Sequence, residues 1–172
     1  MKGDKLAYDG WLKVYRRDIN GKAYDILKNY DAVSAFITNE FNDVLMVKQF
    51  RPAVMSETLE IPAGCLDIEG ESPEDCLIRE LREETNLQIE KKDLQKIISY
   101  KPILGFSKSI LHLYHIEIKK SDLISNKVND EDVTEVMWID KSTFVEYIKN
   151  GKISDGKTII SYLYLQCIGK DS

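Results

Sequence analysis

Cysteine is scarce in this sequence and follows no metal-binding or disulfide pattern. Three cysteines, Cys65, Cys76 and Cys167, occur among the 172 residues. Their number is odd and none belongs to a Cys-x-x-Cys pair, so the sequence indicates neither a disulfide framework nor a structural zinc site. A reducing compartment, the cytoplasm, is the expected location.

Histidine, long apolar runs and basic runs are also scarce or missing. The two histidines, His112 and His115, are spaced three apart, which puts them on opposite faces of a strand, so a catalytic or metal-binding pair is not expected. No apolar run is long enough to span a membrane. The 24 basic residues are outnumbered by 29 acidic ones, the formal net charge is −5, and no basic cluster suits a nucleic-acid backbone. Neither a membrane nor a nucleic acid is an expected partner.

The composition is that of one globular domain. Hydrophobic residues make up 43% of the chain and charged residues 31%, which is enough for one sizeable core. No internal repeat or low-complexity linker divides the sequence. We therefore expect a single domain over residues 1–172, with N-terminal strands in residues 1–30 and the core in residues 31–172.

Strand-like and helix-like segments follow one another in an order typical of a mixed α+β domain. The dipeptide Asn20-Gly21 suits the tight turn of a β-hairpin. A helix is predicted over residues 72–85, because Ser72 can cap its start and Asn86 can end it in a left-handed conformation. Strands are predicted at residues 10–17, 22–29, 32–38, 44–50, 58–61, 94–101, 110–118 and 136–139, and two further helices at residues 143–149 and 157–167.

The predicted central helix carries three glutamates on one face. At 100° per residue, Glu83 and Glu84 lie about 60° and about 40° to either side of Glu80, so the three side chains span about 100° of the helix surface. A solvated acidic face is the commoner interpretation of such a helix on its own. The upstream segment Glu60-Ile61-Pro62-Ala63-Gly64, followed by Glu71, instead favours a site of hard oxygen ligands, which magnesium and manganese prefer.

Residues 64–87 resemble the Nudix box. In that motif a glycine is followed, after five residues, by a glutamate. Seven further residues lead to Arg-Glu-aliphatic-x-Glu-Glu-x-Gly-aliphatic. Two departures occur: six residues rather than five separate Gly64 from Glu71, and Asn86 stands in place of the glycine. The residues that fall on the motif's positions are Glu71, Arg79, Glu80, Leu81, Glu83, Glu84 and Leu87.

The resemblance implies a fold and a metal site. The fold is an α+β domain, a Nudix-like α/β/α sandwich with a mixed central sheet, a catalytic helix at residues 73–85 and an N-terminal β-hairpin. The metal is Mg²⁺, for which Mn²⁺ can substitute. It is expected on Glu80, Glu84 and the carbonyl oxygen of Ala63, with Glu83 as a further ligand or as a carboxylate that orients water.

The resemblance also implies catalytic roles for Arg79, Glu83 and Glu131. Arg79 is expected to hold neighbouring carboxylates in place. An ordinary surface charge is the alternative for Arg79. Water is expected to attack phosphorus, and the general base is either Glu83 or the loop acid Glu131. Solvation of the loop is the other interpretation of Glu131.

Residues outside the box are similar to the ADP-ribose pyrophosphatase group. The segment Val47-Lys48-Gln49-Phe50-Arg51 is similar to a strand that supplies an arginine to a substrate phosphate, and Glu60-x-Pro-Ala-Gly is typical of the group. The segment Gly105-Phe106-Ser107 resembles a loop of that group, which commonly has a glutamate where this chain has Ser109. The resemblance implies substrate-binding roles for Arg51, Glu60, Phe106 and Ser107.

The implied activity is hydrolysis of a nucleoside diphosphate derivative, first of all ADP-ribose, to AMP and ribose 5-phosphate. GDP-mannose, another nucleotide sugar or an oxidised nucleoside triphosphate are alternatives on the same machinery. A catalytically inactive, nucleotide-sensing Nudix module is the alternative from another class. The group usually forms homodimers in which the N-terminal strands help to bind the partner's substrate, and Trp11, Tyr15 or Tyr24 is then expected to stack on the base.

Overall fold

The N-terminal strands form a small antiparallel sheet. The computed structural model describes residues 4–123 and 132–169. Strand β1 (Lys5–Asp9) pairs with β2 (Lys13–Ile19), which pairs in turn with β3 (Lys22–Lys28). The sequence predicts the β2–β3 hairpin but not β1. Strand β1 has only five residues, and this is too short a stretch for alternation of apolar and polar residues to indicate a strand.

The turn of the N-terminal hairpin has the conformation that its sequence predicts. Asn20 has a φ of 55° and Gly21 a φ of 80°, so both central residues are left-handed, as a type I′ turn requires. The amide of Gly21 donates to the Asp18 carboxylate at 2.9 Å. This prediction is confirmed.

A larger mixed sheet forms the centre of the protein. Its strands are β4 (Ala32–Thr38), β5 (Val44–Arg51), β6 (Ser56–Glu60), β7 (Ala63–Cys65), β8 (Gln95–Tyr100), β9 (Leu111–Glu117) and β10 (Val133–Ile139). Their order is β10-β5-β4-β9-β8, with β6 beside β5 and β7 beside β4. Strands β4 and β9 run parallel, whereas β8 and β9 run antiparallel. The sheet is therefore mixed, as expected.

Helices cover both faces of this sheet. Helix α1 (Pro73–Thr85) packs on one face, where Leu77 and Leu81 are fully buried. Helices α2 (Lys141–Lys149) and α3 (Gly156–Cys167) pack on the other, through residues such as Phe144 and Leu165. Two 3-10 turns occur at Lys91–Asp93 and Lys120–Asp122. The α/β/α arrangement is thus confirmed. In the described part of the chain, no helix is both long and apolar enough to cross a membrane.

Strands β6 and β7 lie in a gap between β4 and β5. Strands β4 and β5 pair at Thr38 and Val44. Beyond that point, β7 pairs with β4, and β6 pairs with β5. Between them, the Pro62 carbonyl accepts hydrogen bonds from the Ala35 amide at 3.1 Å and from the Ser34 hydroxyl at 2.8 Å. The sequence predicts one strand at residues 58–61. Two are present because the chain continues past Pro62 along β4.

Helix α1 begins and ends where its sequence predicts. The Ser72 hydroxyl accepts a hydrogen bond from the Asp75 amide at 3.2 Å, which caps the first turn. Asn86 has a φ of 57°, and its amide donates to the Arg82 carbonyl at 3.1 Å. Asn tolerates this left-handed conformation, so the absence of glycine at this position does not disturb the helix end.

Candidate active site

Arg79 lies among the carboxylates on the polar side of α1. Its Nε and Nη2 atoms each donate to one oxygen of Glu71, both at 3.1 Å. Its Nη1 atom donates to Glu80 at 2.8 Å and to Glu83 at 3.1 Å. The bonds to Glu71 are the largest cause of a pKa for Arg79 well above its ordinary value, so the guanidinium stays charged. Arg79 thus holds three acidic side chains together.

Glu80 packs against Gly64 of β7. A Cβ atom on Gly64 would lie 2.0 Å from the Cδ atom of Glu80 and 2.3 Å from its Oε1 atom, so any side chain at position 64 would displace the carboxylate. The Glu80 side chain is 13% exposed. Burial raises the pKa of Glu80, although the charge of Arg79 acts in the opposite direction. Such a carboxylate is stabilised in its charged form by any additional cation nearby.

Glu84 is buried one helical turn after Glu80. Only 4% of the residue is exposed. Its Oε2 atom accepts a hydrogen bond from the Ala63 amide at 3.1 Å. A buried carboxylate is costly without such partners. Strand β7 and helix α1 therefore bring the carboxylates of Glu80 and Glu84 to two adjacent backbone positions, Ala63 and Gly64.

Of the two expected catalytic acids, Glu83 lies within the described residues. The Glu83 side chain is 47% exposed and lies on the outer side of Arg79. Glu131 lies outside the described residues. Over residues 4–123 and 132–169, no three or more His, Cys, Asp or Glu side chains are arranged to hold a metal ion. Oxygens of the α1 acids are bonded instead to Arg79 and to the Ala63 amide.

Arg51 and Glu60 form a bidentate pair across β5 and β6. The Arg51 Nε and Nη2 atoms donate to the two Glu60 oxygens, both at 2.7 Å. These bonds are the main cause of a raised pKa for Arg51, and the charge of Glu84 adds to it, so the pair lies within electrostatic reach of α1. The Arg51 side chain is 43% exposed. Its N–H groups that do not face Glu60 are therefore accessible from solvent.

Phe106 and Ser107 lie on a loop that is joined to the N-terminal sheet. The Phe106 carbonyl accepts a hydrogen bond from the Leu27 amide of β3 at 2.8 Å, and Phe106 is half-exposed. Ser107 is buried, and its hydroxyl donates to the Asn29 side chain at 2.7 Å. Of these two expected substrate contacts, Phe106 presents its side chain to solvent, whereas the Ser107 hydroxyl is occupied within the protein.

Lys157 is a residue of the site that was not expected from the sequence. Its Nζ atom donates to Glu60 and lies 3.1 Å from Asp155, which caps α3 through the Thr158 amide. The segment Asp155-Gly156-Lys157-Thr158 had a visible sequence signal, since it contains a helix cap followed by a cation. Lys157 and Glu60 are 97 positions apart, so no local pattern indicates that they are in contact.

The free energy of unfolding is expected to depend on Glu60 at acid pH. Burial alone raises the pKa of Glu60, but hydrogen bonds from Arg51 and the charge of Lys157 outweigh burial and hold the pKa at about 2. A depressed carboxyl pKa stabilises the fold above the ordinary value of 4.5, and this stabilisation is lost as the pH falls to about 2. We expect a loss on the order of 3 kcal/mol across this window.

Urea unfolding of the wild type and Glu60→Gln across the same pH window tests this expectation. The glutamine variant has no carboxyl group to titrate at position 60, so the wild type's advantage in unfolding free energy is expected to shrink as the pH falls. A difference between the two proteins that stays constant across the window would contradict the assigned pKa.

Comparison with known proteins gives the same family as the Nudix box at residues 64–87. The NUDIX domain model matches residues 28–160. The chain is 33% identical over 143 residues to the methanol dehydrogenase activator of Bacillus methanolicus, covering 83% of this chain and 75% of that protein. It is 31% identical over 160 residues to the ADP-ribose pyrophosphatase of Bacillus subtilis (strain 168), covering 90% and 85%. It is 30% identical over 182 aligned positions to the GDP-mannose pyrophosphatase of Yersinia enterocolitica, covering 96% and 93%.

The chain belongs to the Nudix family and is a Nudix hydrolase. The matched region includes α1 and the strands β6 and β7 on which its acidic side chains rest. The two named pyrophosphatases cover most of the chain, so the similarity is not confined to the box.

Proposed function

We propose that this protein is a magnesium-dependent pyrophosphohydrolase that cleaves the diphosphate of ADP-ribose to give AMP and ribose 5-phosphate. The observation that carries the proposal is the position of Glu80 and Glu84 against Gly64 and Ala63. The nearby Arg51 supplies a planar cation suited to a phosphate group. Relatives named as ADP-ribose and GDP-mannose pyrophosphatases support this substrate class.

The residues at this position suit a magnesium ion. Glu80, Glu84 and the Ala63 carbonyl are hard oxygen donors, and magnesium prefers such donors. Gly64 leaves beside the Glu80 carboxylate the space that a side chain would fill. Nudix hydrolases generally need a divalent metal, typically Mg²⁺, and Mn²⁺ is expected to substitute here. When bound, the ion supplies positive charge to the diphosphate and favours attack by water.

The protein's own residues would bind and orient the substrate. Arg51 would donate to a phosphate oxygen through N–H groups that Glu60 does not engage, while Glu60 keeps the guanidinium in one plane. The exposed Phe106 ring would contact the remainder of the substrate, and Ser107 would hold the loop that presents it. A substrate held in this way needs less reorganisation before reaction.

Proton transfer requires a carboxylate near the attacking water. Glu83, which is half-exposed beside Arg79, and Glu131 are the two candidates. Arg79 would keep Glu83 and Glu80 in fixed rotamers, since it donates to both from one nitrogen atom. Parallel pH profiles of kcat for Glu83→Gln and Glu131→Gln would separate them, because only loss of the base removes the limb of the profile on the acid side.

GDP-mannose is a second candidate substrate. Two relatives named as GDP-mannose pyrophosphatases cover 96% and 95% of this chain, compared with 90% for the ADP-ribose pyrophosphatase of Bacillus subtilis, at nearly the same identity. Both compounds contain a diphosphate between two sugars, so the site described above serves either. Other nucleotide sugars and oxidised nucleoside triphosphates belong to the same panel of candidates.

A catalytically inactive nucleotide-sensing module is the candidate from another class. One relative carries the name of an activator rather than a pyrophosphatase. Such a module would not need the acids that this chain keeps at positions 80, 83 and 84. It predicts binding of a nucleotide without turnover.

A substrate panel tests the proposed function. The intact protein is incubated with ADP-ribose, GDP-mannose and other nucleotide sugars, with Mg²⁺ or with a chelator, and the nucleoside monophosphate released is measured. The highest kcat/KM is expected for ADP-ribose, with turnover only when Mg²⁺ is present. Faster hydrolysis of GDP-mannose would reassign the substrate. Binding of these compounds with no hydrolysis of any of them would contradict the proposed enzymatic activity.

We further propose a homodimer in which the N-terminal strands, within residues 1–30, lie at the interface and residues 31–172 form the Nudix core of a single domain. Leu6, Tyr8 and Trp11 are 50%, 62% and 74% exposed. Large apolar side chains exposed on β1 and on the connection from β1 to β2 indicate a surface that a partner covers. In that arrangement Trp11, Tyr15 or Tyr24 would stack on the base of the partner's substrate.

The double substitution Leu6→Glu with Trp11→Glu is expected to give a monomer. Two charges placed in a dry interface would be costly to bury and would prevent association. Light scattering after size-exclusion chromatography measures the mass of the variant and of the wild type. The control is Phe41→Glu, which changes a side chain of similar exposure outside the N-terminal sheet and is expected to keep the wild-type mass. A wild type that is itself monomeric would contradict the proposed dimer.

The proposed compartment is the cytoplasm. Cys65, Cys76 and Cys167 are all free thiols. Free thiols are the usual state of cysteine in a reducing compartment.

A further inference from the structure

The Glu60 carboxylate is held by three elements of the fold. Its Oε1 atom accepts from the Arg51 Nε atom and from the Thr58 hydroxyl, each at 2.7 Å. Its Oε2 atom accepts from the Arg51 Nη2 atom at 2.7 Å and from Lys157. Each oxygen therefore has one bond to Arg51 and one bond to a second group, Thr58 or Lys157. This arrangement fixes the plane of the carboxylate.

Lys157 is in an unfavourable place for a cation unless it has a specific partner. It is the second residue of α3, where the helix dipole is positive, and its side chain is only 11% exposed. Glu60, with 5% exposure, and Asp155 compensate its charge. Replacing a buried ion pair with apolar side chains is often neutral or stabilising, so stability alone does not account for this one.

The fixed carboxylate determines how Arg51 faces solvent. Two of the five N–H groups of the guanidinium are committed to Glu60, and the group is rigid and planar. Its other N–H groups must therefore point in directions set by the Glu60 plane. Without Lys157, Oε2 keeps its bond to Arg51 alone, and Thr58 is the second group on Oε1 only. The carboxylate and the guanidinium can then rotate together about the Thr58 bond.

We propose that Lys157 is a positioning residue that acts through Glu60 to orient Arg51 toward the diphosphate of the substrate. The proposal rests on the proposed function, in which Arg51 binds a phosphate oxygen. It assigns to the first turn of α3 a role in substrate binding, although α3 packs on the opposite side of the sheet from α1.

Steady-state kinetics of Lys157→Met test this role. A rise of about tenfold in KM for ADP-ribose is expected, with kcat changed less than about threefold, because a misplaced binding group weakens binding of the substrate more than the chemical step. Lys149→Met removes an exposed lysine from the end of α2 and is expected to leave both constants unchanged. If Lys157→Met does not fold, Lys157→Gln, which keeps an N–H donor, takes its place.

A double-mutant cycle separates positioning from a general structural effect. If Lys157 acts through Arg51, then adding Lys157→Met to Arg51→Ala should change kcat/KM by less than about twofold. Equal effects of Lys157→Met in the presence and absence of Arg51 would overturn the proposal.

The Arg51 Nε–H resonance in ¹H–¹⁵N spectra gives a readout that does not depend on turnover. In Lys157→Met this resonance is expected to shift or broaden, while in Lys149→Met it should coincide with that of the wild type. An unchanged Arg51 resonance in Lys157→Met would also overturn the proposal. Failure of the proposed function is recognised separately, because the wild type would then hydrolyse no diphosphate whatever the resonance shows.

Discussion

Replacing Glu84 with glutamine is expected to reduce kcat for ADP-ribose by at least about 1,000-fold while the protein stays folded. Glutamine has nearly the same volume as glutamate, and its carbonyl oxygen can still accept the hydrogen bond from the Ala63 amide. What is lost is the negative charge at a buried position. If this charge holds a divalent ion, its removal costs about 4 kcal/mol of transition-state stabilisation, which corresponds to the expected loss of rate.

A matched variant and two measurements make the Glu84 result interpretable. Glu146→Gln makes the same chemical change at an exposed position of α2 and is expected to keep wild-type kcat. Urea unfolding should place Glu84→Gln within about 1 kcal/mol of the wild type, since the hydrogen bond is retained. A folded Glu84→Gln protein with more than about a tenth of wild-type kcat would rule out Glu84 as a required metal ligand.

Replacing Gly64 with alanine is expected to reduce kcat about 100-fold, which is the second largest effect. The added methyl group would lie 2.0 Å from the Glu80 Cδ atom, a distance that no real contact has. The end of a glutamate side chain can move away, so the fold should tolerate the change at a modest cost. The Glu80 carboxylate would then be displaced by about an ångström or more, and such a displacement can lower the rate by this factor.

The Gly64 prediction has its own control in the same protein. Gly156 lies at the start of α3, and a Cβ atom there would have no neighbour within 4 Å. Gly156→Ala is therefore expected to keep wild-type kcat. The apparent affinity for Mg²⁺, measured as the concentration that gives half-maximal rate, should weaken in Gly64→Ala only. Wild-type rate and metal dependence in Gly64→Ala would show that the position of Glu80 is not important.

Helix α1 could be predicted from the sequence because the information that defines it is local. Ser72 and Asn86 mark its two ends through hydrogen bonds and a backbone conformation that depend on residues within one turn. The convergence of Glu80 and Glu84 on one face follows from helical geometry alone. The type I′ turn at Asn20-Gly21 is local in the same sense.

Strand β7 and the Lys157–Glu60 contact could not be predicted in the same way. Three residues after a proline carry too little pattern to indicate a strand, and β7 forms because β4 offers it backbone partners. Lys157 and Glu60 are 97 positions apart, and nothing in the local sequence of either identifies the other. The three-dimensional arrangement therefore adds the support of Arg51 to a candidate site whose acids the sequence predicts.

The position of Arg79 also needed the structure. Its place in the box implies a supporting role, but the sequence does not say which acids it contacts. The bonds of one guanidinium to Glu71, Glu80 and Glu83 show that Arg79 and two of the expected ligands form a single network with Glu71. Changes at any one of these positions are therefore expected to be non-additive with changes at the others.

The central claim is that this protein hydrolyses the linkage between the two phosphorus atoms of ADP-ribose with the help of Mg²⁺. Phosphorus NMR of ADP-ribose incubated with the wild-type protein tests it most directly. With Mg²⁺ present, the coupled diphosphate signals are expected to be replaced by the two uncoupled signals of AMP and ribose 5-phosphate, and with a chelator they should persist. Diphosphate signals that remain unchanged in the presence of folded protein and Mg²⁺, for ADP-ribose and for every nucleotide sugar of the panel, would contradict the claim.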